Sequence, residues 1–239
     1  MPSILENLTV WEYDWLHDGE EWSVPWGGSD AQWKQTIWPR IQAFLPAPSI
    51  LEIGPGRGRW AERLRRQCDR LILLDLSPKC IEYCQARFAE DSHLSYYVND
   101  GLSLNAIRDN SIEFVFTFDS LVHAGPDVCR AYILQIAQKL TRNGCCFFHH
   151  SNLGVYRQHL GAEVDFALEH WRDRDTTGEL ILQFCHEAHL SCFKQEFVNW
   201  RGTPWLIDGF SYIAHLDSRW AAPIQILHNF EFMAEAVTP

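Results

Sequence analysis

The 239-residue chain lacks several features that would have settled its class at once. No apolar run reaches the ~18 residues that a membrane helix needs, and no basic stretch followed by an apolar one marks a signal peptide near the start. None of the eight cysteines forms a Cys-x-x-Cys pair, which disfavours a zinc site or a disulfide framework and predicts reduced, buried thiols. Repeats and low-complexity segments are missing too. These absences predict a cytoplasmic globular protein.

Basic residues are also scarce. Lys and Arg number 20 against 31 Asp and Glu, which gives a net charge of −11. Proteins that bind nucleic acid or an anionic membrane do so through clustered Lys and Arg. We therefore expect neither as a partner. The 46% share of hydrophobic residues predicts a packed core.

A glycine-rich turn follows the first strongly apolar segment. Residues Ile50 to Ile53 predict a buried strand, and a helical pattern begins at Trp60. Three glycines lie between them at alternate positions, Gly54, Gly56 and Gly58. Glycine permits a positive φ and the close approach of a ligand to the backbone. Because the carboxylate of Glu52 would repel phosphate, the pattern favours a nucleoside without a pyrophosphate.

From residue 49 onward, strands and helices alternate, which predicts an α/β domain with a doubly wound, mostly parallel sheet. The predicted strands are seven, at 50–53, 71–76, 94–98, 112–118, 145–148, about 191–200 and about 205–215. Helices are expected after Trp60, with Cys68 on the apolar stripe, from Pro78 to about Phe88, and at about 127–140 and 177–189. A turn at Asn143 and Gly144 is expected before the fifth strand. The predicted domain comprises residues 46–239.

Residues 1–45 differ in composition from the rest and predict an N-terminal helical lid. They contain six of the eleven tryptophans, Trp11, Trp15, Trp22, Trp26, Trp33 and Trp38. Pro39 is expected to kink or split the helix that carries Trp33. We expect the indoles to pack on the sheet domain, with Trp26 and Trp33 also forming a wall of the ligand pocket.

Polar residues follow the predicted strands where each one ends. In an open parallel sheet, ligands bind at these carboxyl ends, near the switch in strand order. Asp75 lies 21 residues after Gly54, a distance at which an acid can accept hydrogen bonds from ribose hydroxyls. Asp100 is predicted to accept from an adenine amine. The other polar strand ends are Asp119, His149, His150 and Asn152.

These motifs resemble those of class I S-adenosylmethionine-dependent methyltransferases over residues 49 to 215. The resemblance implies a sheet with an antiparallel last strand pair and S-adenosylmethionine as cofactor, with S-adenosylhomocysteine as product. The implied cofactor-binding residues are Glu52, Gly54, Pro55, Gly56, Gly58, Asp75, Leu76, Asp100, Gly101 and Asp119. A dinucleotide-dependent oxidoreductase is disfavoured, because Arg59 occupies the place of the third glycine in Gly-x-Gly-x-x-Gly.

Histidines are the candidates for the chemistry of the acceptor. Methyl transfer to oxygen needs a base, and imidazole suits that role near neutral pH. We predict His150 as the base, with His123 second and Asp119 as an orienting group. His149 and Asn152 are predicted in the substrate pocket. Asp119 and the histidines could also hold a divalent cation, but the Ser151-Asn152 sequence lacks the further acids such sites use, so no metal is predicted.

The acceptor itself is open at this point. The leading hypothesis is an O-methyltransferase acting on a small molecule, such as a sugar, a glycan end or a secondary metabolite. A looser resemblance to bacterial saccharide and natural-product O-methyltransferases in residues 149–154 and 199–200 supports it. The alternatives are a small-molecule N-methyltransferase and a cofactor-binding protein without catalysis. A homodimer is compatible with the sequence.

Overall fold

The computed structural model describes residues 4–11, 19–156 and 172–236. Its strands are β1 Ala47–Ile53, β2 Cys68–Asp75, β3 Leu94–Val98, β4 Ile112–Thr117, β5 Leu140–Ser151, β6 Leu190–Val198, β7 Asp208–His215 and β8 Gln225–Asn229. Its α-helices are α1 Ile4–Trp11, α2 Ser29–Gln32, α3 Trp38–Ile41, α4 Ala61–Leu64, α5 Pro78–Arg87, α6 Pro126–Lys139 and α7 Gly178–Glu187. The predicted α/β class is confirmed.

All eight strands form one sheet in the order β3-β2-β1-β4-β5-β7-β6-β8. The first five strands in this order, β3, β2, β1, β4 and β5, are parallel to one another. Strand β7 pairs antiparallel with both β5 and β6. The prediction of seven strands was short by one. The short β8 pairs in parallel with β6 and has no alternating apolar pattern, because all but one of its side chains are exposed.

The core covers both faces of the sheet, as expected for a doubly wound domain. Along β1, Ile50 joins the apolar cluster on one face and Leu51 the cluster on the other, because successive side chains of a strand alternate. Helices α6 and α7 pack on the face of Leu51. The N-terminal segment packs on the other face, where Ile37 and Ile41 are fully buried. These two residues therefore belong to the core of the sheet domain.

A kink or a split was predicted for the helix containing Pro39. The helix is not split, since α2 continues through a π-helical stretch at Trp33–Ile37 into α3. A wider turn just before the proline accommodates its ring and its missing N–H. The division into a lid of residues 1–45 and a domain of 46–239 stays a prediction, and residues 1–3 and 12–18 of that lid, with Trp15, lie outside the described residues.

Two predicted boundaries were wrong. Cys68 begins β2 rather than ending a helix, because α4 ends at Leu64. Strand β5 begins at Leu140, so Asn143 and Gly144 lie within it rather than in a turn. A side chain at Gly144 would lie 2.6 Å from the carbonyl oxygen of Ile112, which explains this glycine by close strand packing.

Within the described ranges, no helix is long and apolar enough to cross a membrane. The eight cysteines are free thiols, and all but the half-buried Cys68 are buried.

Candidate functional site

A cavity of about 340 Å³ opens at the carboxyl ends of β1, β2 and β4. The strand order reverses between β1 and β4, and this switch point is where an open α/β sheet forms a crevice. The volume lies within the range of small-molecule sites. Its floor is the glycine-rich turn, and its roof is made by α1 and the segment from Glu21 to Trp26.

Gly54 shapes the floor of the cavity. Its φ is +72°, and a side chain there would place Cβ 2.5 Å from Cβ of Ser120. Ser120 in turn bonds through Oγ to the carbonyl oxygen of Ile53 at 3.1 Å. Only glycine satisfies both the backbone conformation and this contact, so the turn after β1 and the turn after β4 lie directly against each other.

Asp75 lies beside the glycine turn at the end of β2. Its carboxylate accepts hydrogen bonds from the backbone N–H of Gly56 at 3.0 Å and of Ser77 at 2.8 Å. Burial raises the pKa of Asp75 to about 6. Each oxygen keeps a second lone pair for a ligand, and the residue lines the cavity.

Glu52 lies beneath the turn rather than on the cavity wall. It is 1% exposed, and its Oε2 has no hydrogen-bond partner among the described residues. Burial, with the nearby charge of Asp75, raises the pKa of Glu52 to about 8. A buried, unsatisfied carboxyl is costly unless a cation or donor approaches it. S-adenosylmethionine, with its sulfonium and ammonium groups, fits this arrangement of acids and glycine turn.

Aromatic rings form another part of the cavity wall. Trp22, Trp26, Phe118 and Trp200 all line it, and the rings of Trp26 and Trp200 lie 5.2 Å apart. Trp26 therefore lies where the sequence predicted. Trp33 does not line the cavity, because its ring packs against Trp60 at a centroid distance of 6.3 Å.

Two buried ion pairs reach the cavity wall near these rings. Arg59 bonds to Asp119 at 3.1 Å, and Arg172 binds Asp208 through two guanidinium nitrogens. Burial lowers the pKa of Arg59, although the charge of Asp119 opposes that shift. Burial alone would raise the pKa of Asp208, but Arg172 and His149 hold it at about 2. Each arginine is thus paired with an aspartate.

His123 lines the cavity between these ion pairs and α1. It lies on a 3-10 turn directly after Asp119 and Ser120, and it is 8% exposed. Its carbonyl oxygen accepts a hydrogen bond from Nδ2 of Asn7 at 3.0 Å, which ties α1 to this turn. Of the three histidines predicted for the site, His123 alone lies on the wall.

The structure does not place His150 at the cavity, contrary to its predicted role as base. Its ring is fully buried on the other face of β5, beside Gly209, where a Cβ would come within 2.5 Å of it. Nε2 bonds to Oγ of Ser211 and Nδ1 to the carbonyl oxygen of Ser151, each at 2.8 Å. Burial lowers its pKa to about 4. His150 therefore cannot reach a ligand.

His149 and Asn152 also lie behind the wall rather than on it. His149 is fully buried among Phe118, Trp200 and Phe210. Asn152 joins two loops, donating to the carbonyl oxygen of Leu206 at 2.8 Å and accepting from the N–H of Gly178 at 2.9 Å. Both side chains support the site from outside.

Of the residues predicted to bind the adenosine part of the cofactor, only some line the cavity. Gly101 and Leu76 line it, as does Pro55 in the glycine turn, but Asp100 does not. The carboxylate of Asp100 is exposed, and it caps its own turn by accepting from the N–H groups of residues 102 and 103. Backbone hydrogen bonds lower its pKa.

The third glycine of the turn has a packing role. Gly58 has a φ of +82° and does not line the cavity. A side chain at this position would place Cβ 2.7 Å from the ring of Phe88, which follows α5. Gly58 therefore lets the turn approach α5.

Sequence reasoning missed several residues of the wall, namely Glu21, Arg59, Arg172 and Trp200. Arg59 carried a signal, since it directly follows the last glycine of the turn. Trp200 lay in the looser resemblance over residues 199–200 but was not assigned to the pocket. Arg172 carried no signal, because its partner Asp208 reaches the site only through the pairing of β5 with β7. In the parts of the chain that the structure describes, no group of three or more His, Cys, Asp or Glu could hold a metal ion.

Comparison with known proteins gives a family match over the first half of the sheet. Residues 50–144 match the model of a methyltransferase domain. This range contains the glycine turn, Asp75 and Asp119.

Curated relatives align over less than a quarter of the chain. Ribosomal RNA small subunit methyltransferase A of Coxiella burnetii is 30% identical over 57 residues, 24% of this chain and 22% of that protein. Nodulation protein S of Rhizobium tropici is 33% identical over 55 residues, 23% of each chain. The aligned part thus spans less than a quarter of these relatives.

Solved structures share the fold along most of the chain. The N-methyltransferase NodS of Bradyrhizobium japonicum, in complex with S-adenosylhomocysteine, has a TM-score of 0.63 at 16% identity, covering 87% of this chain and 98% of that one. An S-adenosylmethionine-dependent methyltransferase of Clostridium acetobutylicum has a TM-score of 0.60 at 14% identity, covering 89% and 96%. Residues 50–144 thus match a methyltransferase domain, and most of the chain shares the fold of S-adenosylmethionine-dependent methyltransferases.

Proposed function

We propose that the whole protein transfers the methyl group of S-adenosylmethionine to a small molecule bound in the cavity. The observation that supports this most is the enclosure of the cavity. The glycine turn forms its floor, and the indoles of Trp22, Trp26 and Trp200 form part of its wall. An aromatic, roofed cavity suits a small acceptor better than a macromolecule.

We further propose that the acceptor is a hydroxyl group and that His123 is its base. The acceptor oxygen attacks the methyl carbon, the carbon–sulfur bond breaks, and its electron pair stays on sulfur to give neutral S-adenosylhomocysteine. The hydroxyl proton must leave, and a ring nitrogen of His123 on the cavity wall can take it. Asp119, on the same wall, orients the reacting groups. This assignment replaces His150 by the second histidine of the prediction.

An amine acceptor is the second candidate. Two observations favour it: the similarity to NodS, which is an N-methyltransferase, and the carboxylate of Glu21 on the cavity wall. A negative wall group stabilises a cationic amine, and a neutral amine needs less help from a base than a hydroxyl does. The aromatic rings also suit an alkylammonium group.

The roof of the cavity supports a lid function for the N-terminal segment. Ile4 and Leu8 of α1 line the cavity, and a side chain at Gly101 would lie 3.0 Å from Ile4. We propose that residues 1–45 exclude water from the reacting groups when both ligands are bound. Exclusion of water strengthens every electrostatic interaction in the site.

A screen of hydroxylated and amino acceptors, read by release of S-adenosylhomocysteine, tests the reaction. With a hydroxyl acceptor, His123→Gln should lower kcat by a factor of about 10²–10⁴ and remove the acid limb of the pH profile. The exposed His186→Gln is the matched control and should keep wild-type rates. Full activity of His123→Gln on a hydroxyl acceptor would exclude His123 as base, and turnover restricted to amines would replace the first candidate by the second.

A further inference from the structure

A buried row of side chains connects β7 with the turn after β4. The backbone N–H of Asp119 donates to Nδ1 of His149 at 2.9 Å, and Nε2 of the same ring lies 3.1 Å from Oδ2 of Asp208. Arg172 donates to both oxygens of Asp208, from Nη2 at 2.6 Å and from Nε. His149 and Asp208 are fully buried, and Arg172 is 1% exposed.

The direction of each hydrogen bond in this row is determined by its chemistry. A backbone N–H can only donate, so Nδ1 of His149 must accept and carries no proton. In a neutral ring the proton is then on Nε2, which donates to Asp208. Arg172 keeps Asp208 ionised and therefore an acceptor. The row thus has one arrangement, with the Arg172–Asp208 pair at its base and the backbone of Asp119 at its end.

Asp119 needs such support. Its φ is +59°, a left-handed conformation that only two other non-glycine residues, Asn110 and His189, share in the described part of the chain. Of these three, Asp119 alone lines the cavity. The carboxylate, 3.1 Å from Nη2 of Arg59, is held on the wall because of this backbone conformation. Strained backbone at a ligand site persists when surrounding contacts determine it.

We infer that His149, Asp208 and Arg172 position Asp119, so that its negative charge stays on the cavity wall, where it would favour a sulfonium cation such as that of S-adenosylmethionine. His149 is a positioning residue in this account, and neither it nor Asp208 contacts the substrate. The inference rests on the proposed function, since it assumes that the cavity binds S-adenosylmethionine. Asp119 would then favour this positively charged cofactor over its neutral product. The inference goes further in assigning a role to side chains behind the cavity wall.

Two substitutions of His149 separate the two ends of its ring. In His149→Asn, Oδ1 occupies the position of Nδ1 and can still accept from Asp119, while the contact with Asp208 is lost. In His149→Gln, the amide reaches toward Asp208, but no acceptor lies at the δ position. The first variant keeps the bond to the backbone of Asp119, and the second loses it.

The position of Asp119 can then be tested by comparing the affinities of two ligands that differ in charge. S-adenosylmethionine carries a sulfonium cation, and S-adenosylhomocysteine is the neutral thioether. We expect His149→Gln to weaken S-adenosylmethionine about tenfold and S-adenosylhomocysteine less than twofold by calorimetry, with His149→Asn close to wild type. Equal weakening of both ligands, or the reverse order of the variants, would mean that His149 only packs and would overturn the inference.

A matched control breaks a different buried ion cluster. Arg40 binds both Glu196 and Glu235 away from the cavity wall, at 2.6 and 2.8 Å. Glu235→Gln removes one of its charges with little change of shape. It should lower the unfolding temperature without changing the ratio of the two affinities. A change of that ratio in this control would also count against the inference.

A further test uses the wild-type protein, so it does not depend on whether a His149 variant folds. A long-range ¹H–¹⁵N spectrum should give His149 as the neutral tautomer with its proton on Nε2 at pH 7. A proton on Nδ1 contradicts the proposed row. If wild type binds neither ligand, the proposed function fails, whereas the tautomer still decides whether the row exists.

Discussion

Two parts of the cavity wall are built in different ways. At the glycine turn, the contacts involve the main chain, such as the N–H of Gly56 on Asp75 and the close approach of Gly54 to Ser120. In the aromatic part, the wall depends on contacts between side chains, such as Trp26 against Trp200 and Arg172 on Asp208. The first part depends on backbone conformation, and the second on the packing of side chains from distant segments.

This difference has a consequence for substitutions. A change in the glycine turn should alter cofactor binding directly, because the backbone itself forms the floor. Changes in the aromatic part of the wall should affect the free energy of unfolding or the binding of the acceptor. Their effects on cofactor binding should be smaller. Four substitutions test this contrast, in order of decreasing effect.

Arg172→Met should have the largest effect on stability. It leaves Asp208 buried without its partner, which costs about 3–5 kcal/mol of the free energy of unfolding. Because the folded-state pKa of Asp208 is held at about 2, its contribution is present above the unfolded value of 3.8 and is lost as the pH falls toward 2. The deficit of the variant should therefore shrink below pH 4. Urea unfolding at pH 7 and pH 3 measures it, and a deficit that does not change with pH would contradict the ion-pair account.

Gly54→Ala should have the largest effect on cofactor binding. The new Cβ would combine a positive φ with an approach of 2.5 Å to Ser120, costing about 2–4 kcal/mol in stability or displacing the turn. We expect at least a 100-fold loss of affinity for S-adenosylhomocysteine by calorimetry.

Gly27→Ala is the matched control for that variant. Gly27 has a φ of +79°, but a Cβ at this position would meet no atom within 4 Å, so the variant isolates the cost of the backbone conformation. It should lose about 1 kcal/mol of stability and keep its affinity. An equal loss of affinity in both variants would refute the role of the Ser120 contact.

Glu52→Gln should stabilise the protein free of ligand. Burial raises the pKa of Glu52 from 4.5 to about 8, so ionisation opposes folding increasingly as the pH rises through that interval. The variant should be more stable than wild type by about 2 kcal/mol at pH 8 and equal to it near pH 4.5. It should also bind S-adenosylmethionine about tenfold more weakly. Thermal unfolding of both proteins across this pH range measures the difference. A variant less stable than wild type at pH 8 would contradict the account.

Trp26→Leu should have the smallest effect of the four on ligand binding, and there only on the acceptor. The indole contributes apolar wall area beside Trp200, so its loss should raise the KM of the acceptor about tenfold. Trp33→Leu, which changes a ring that does not line the cavity, should leave that KM unchanged. Steady-state kinetics with both variants decides whether Trp26 faces the acceptor.

The same difference explains what the sequence could predict. The strand pattern, the glycine turn and Asp75 were readable because alternation and glycine spacing are local signals. His150 was chosen wrongly because the facing of two adjacent strand residues depends on which neighbours cover each face. Here Gly209 makes room for the His150 ring on the face away from the cavity. The place of Arg172 at the site could not be predicted, since the pairing of β7 with β5 brings its partner Asp208 there.

Calorimetric titration of S-adenosylhomocysteine into wild type, Asp75→Ala and Trp26→Leu tests the division of the cavity most directly. The account predicts one molecule bound per chain in wild type. Affinity should fall at least 100-fold in Asp75→Ala and less than twofold in Trp26→Leu. Failure of wild type to bind, or an equal loss of affinity in the two variants, would contradict it.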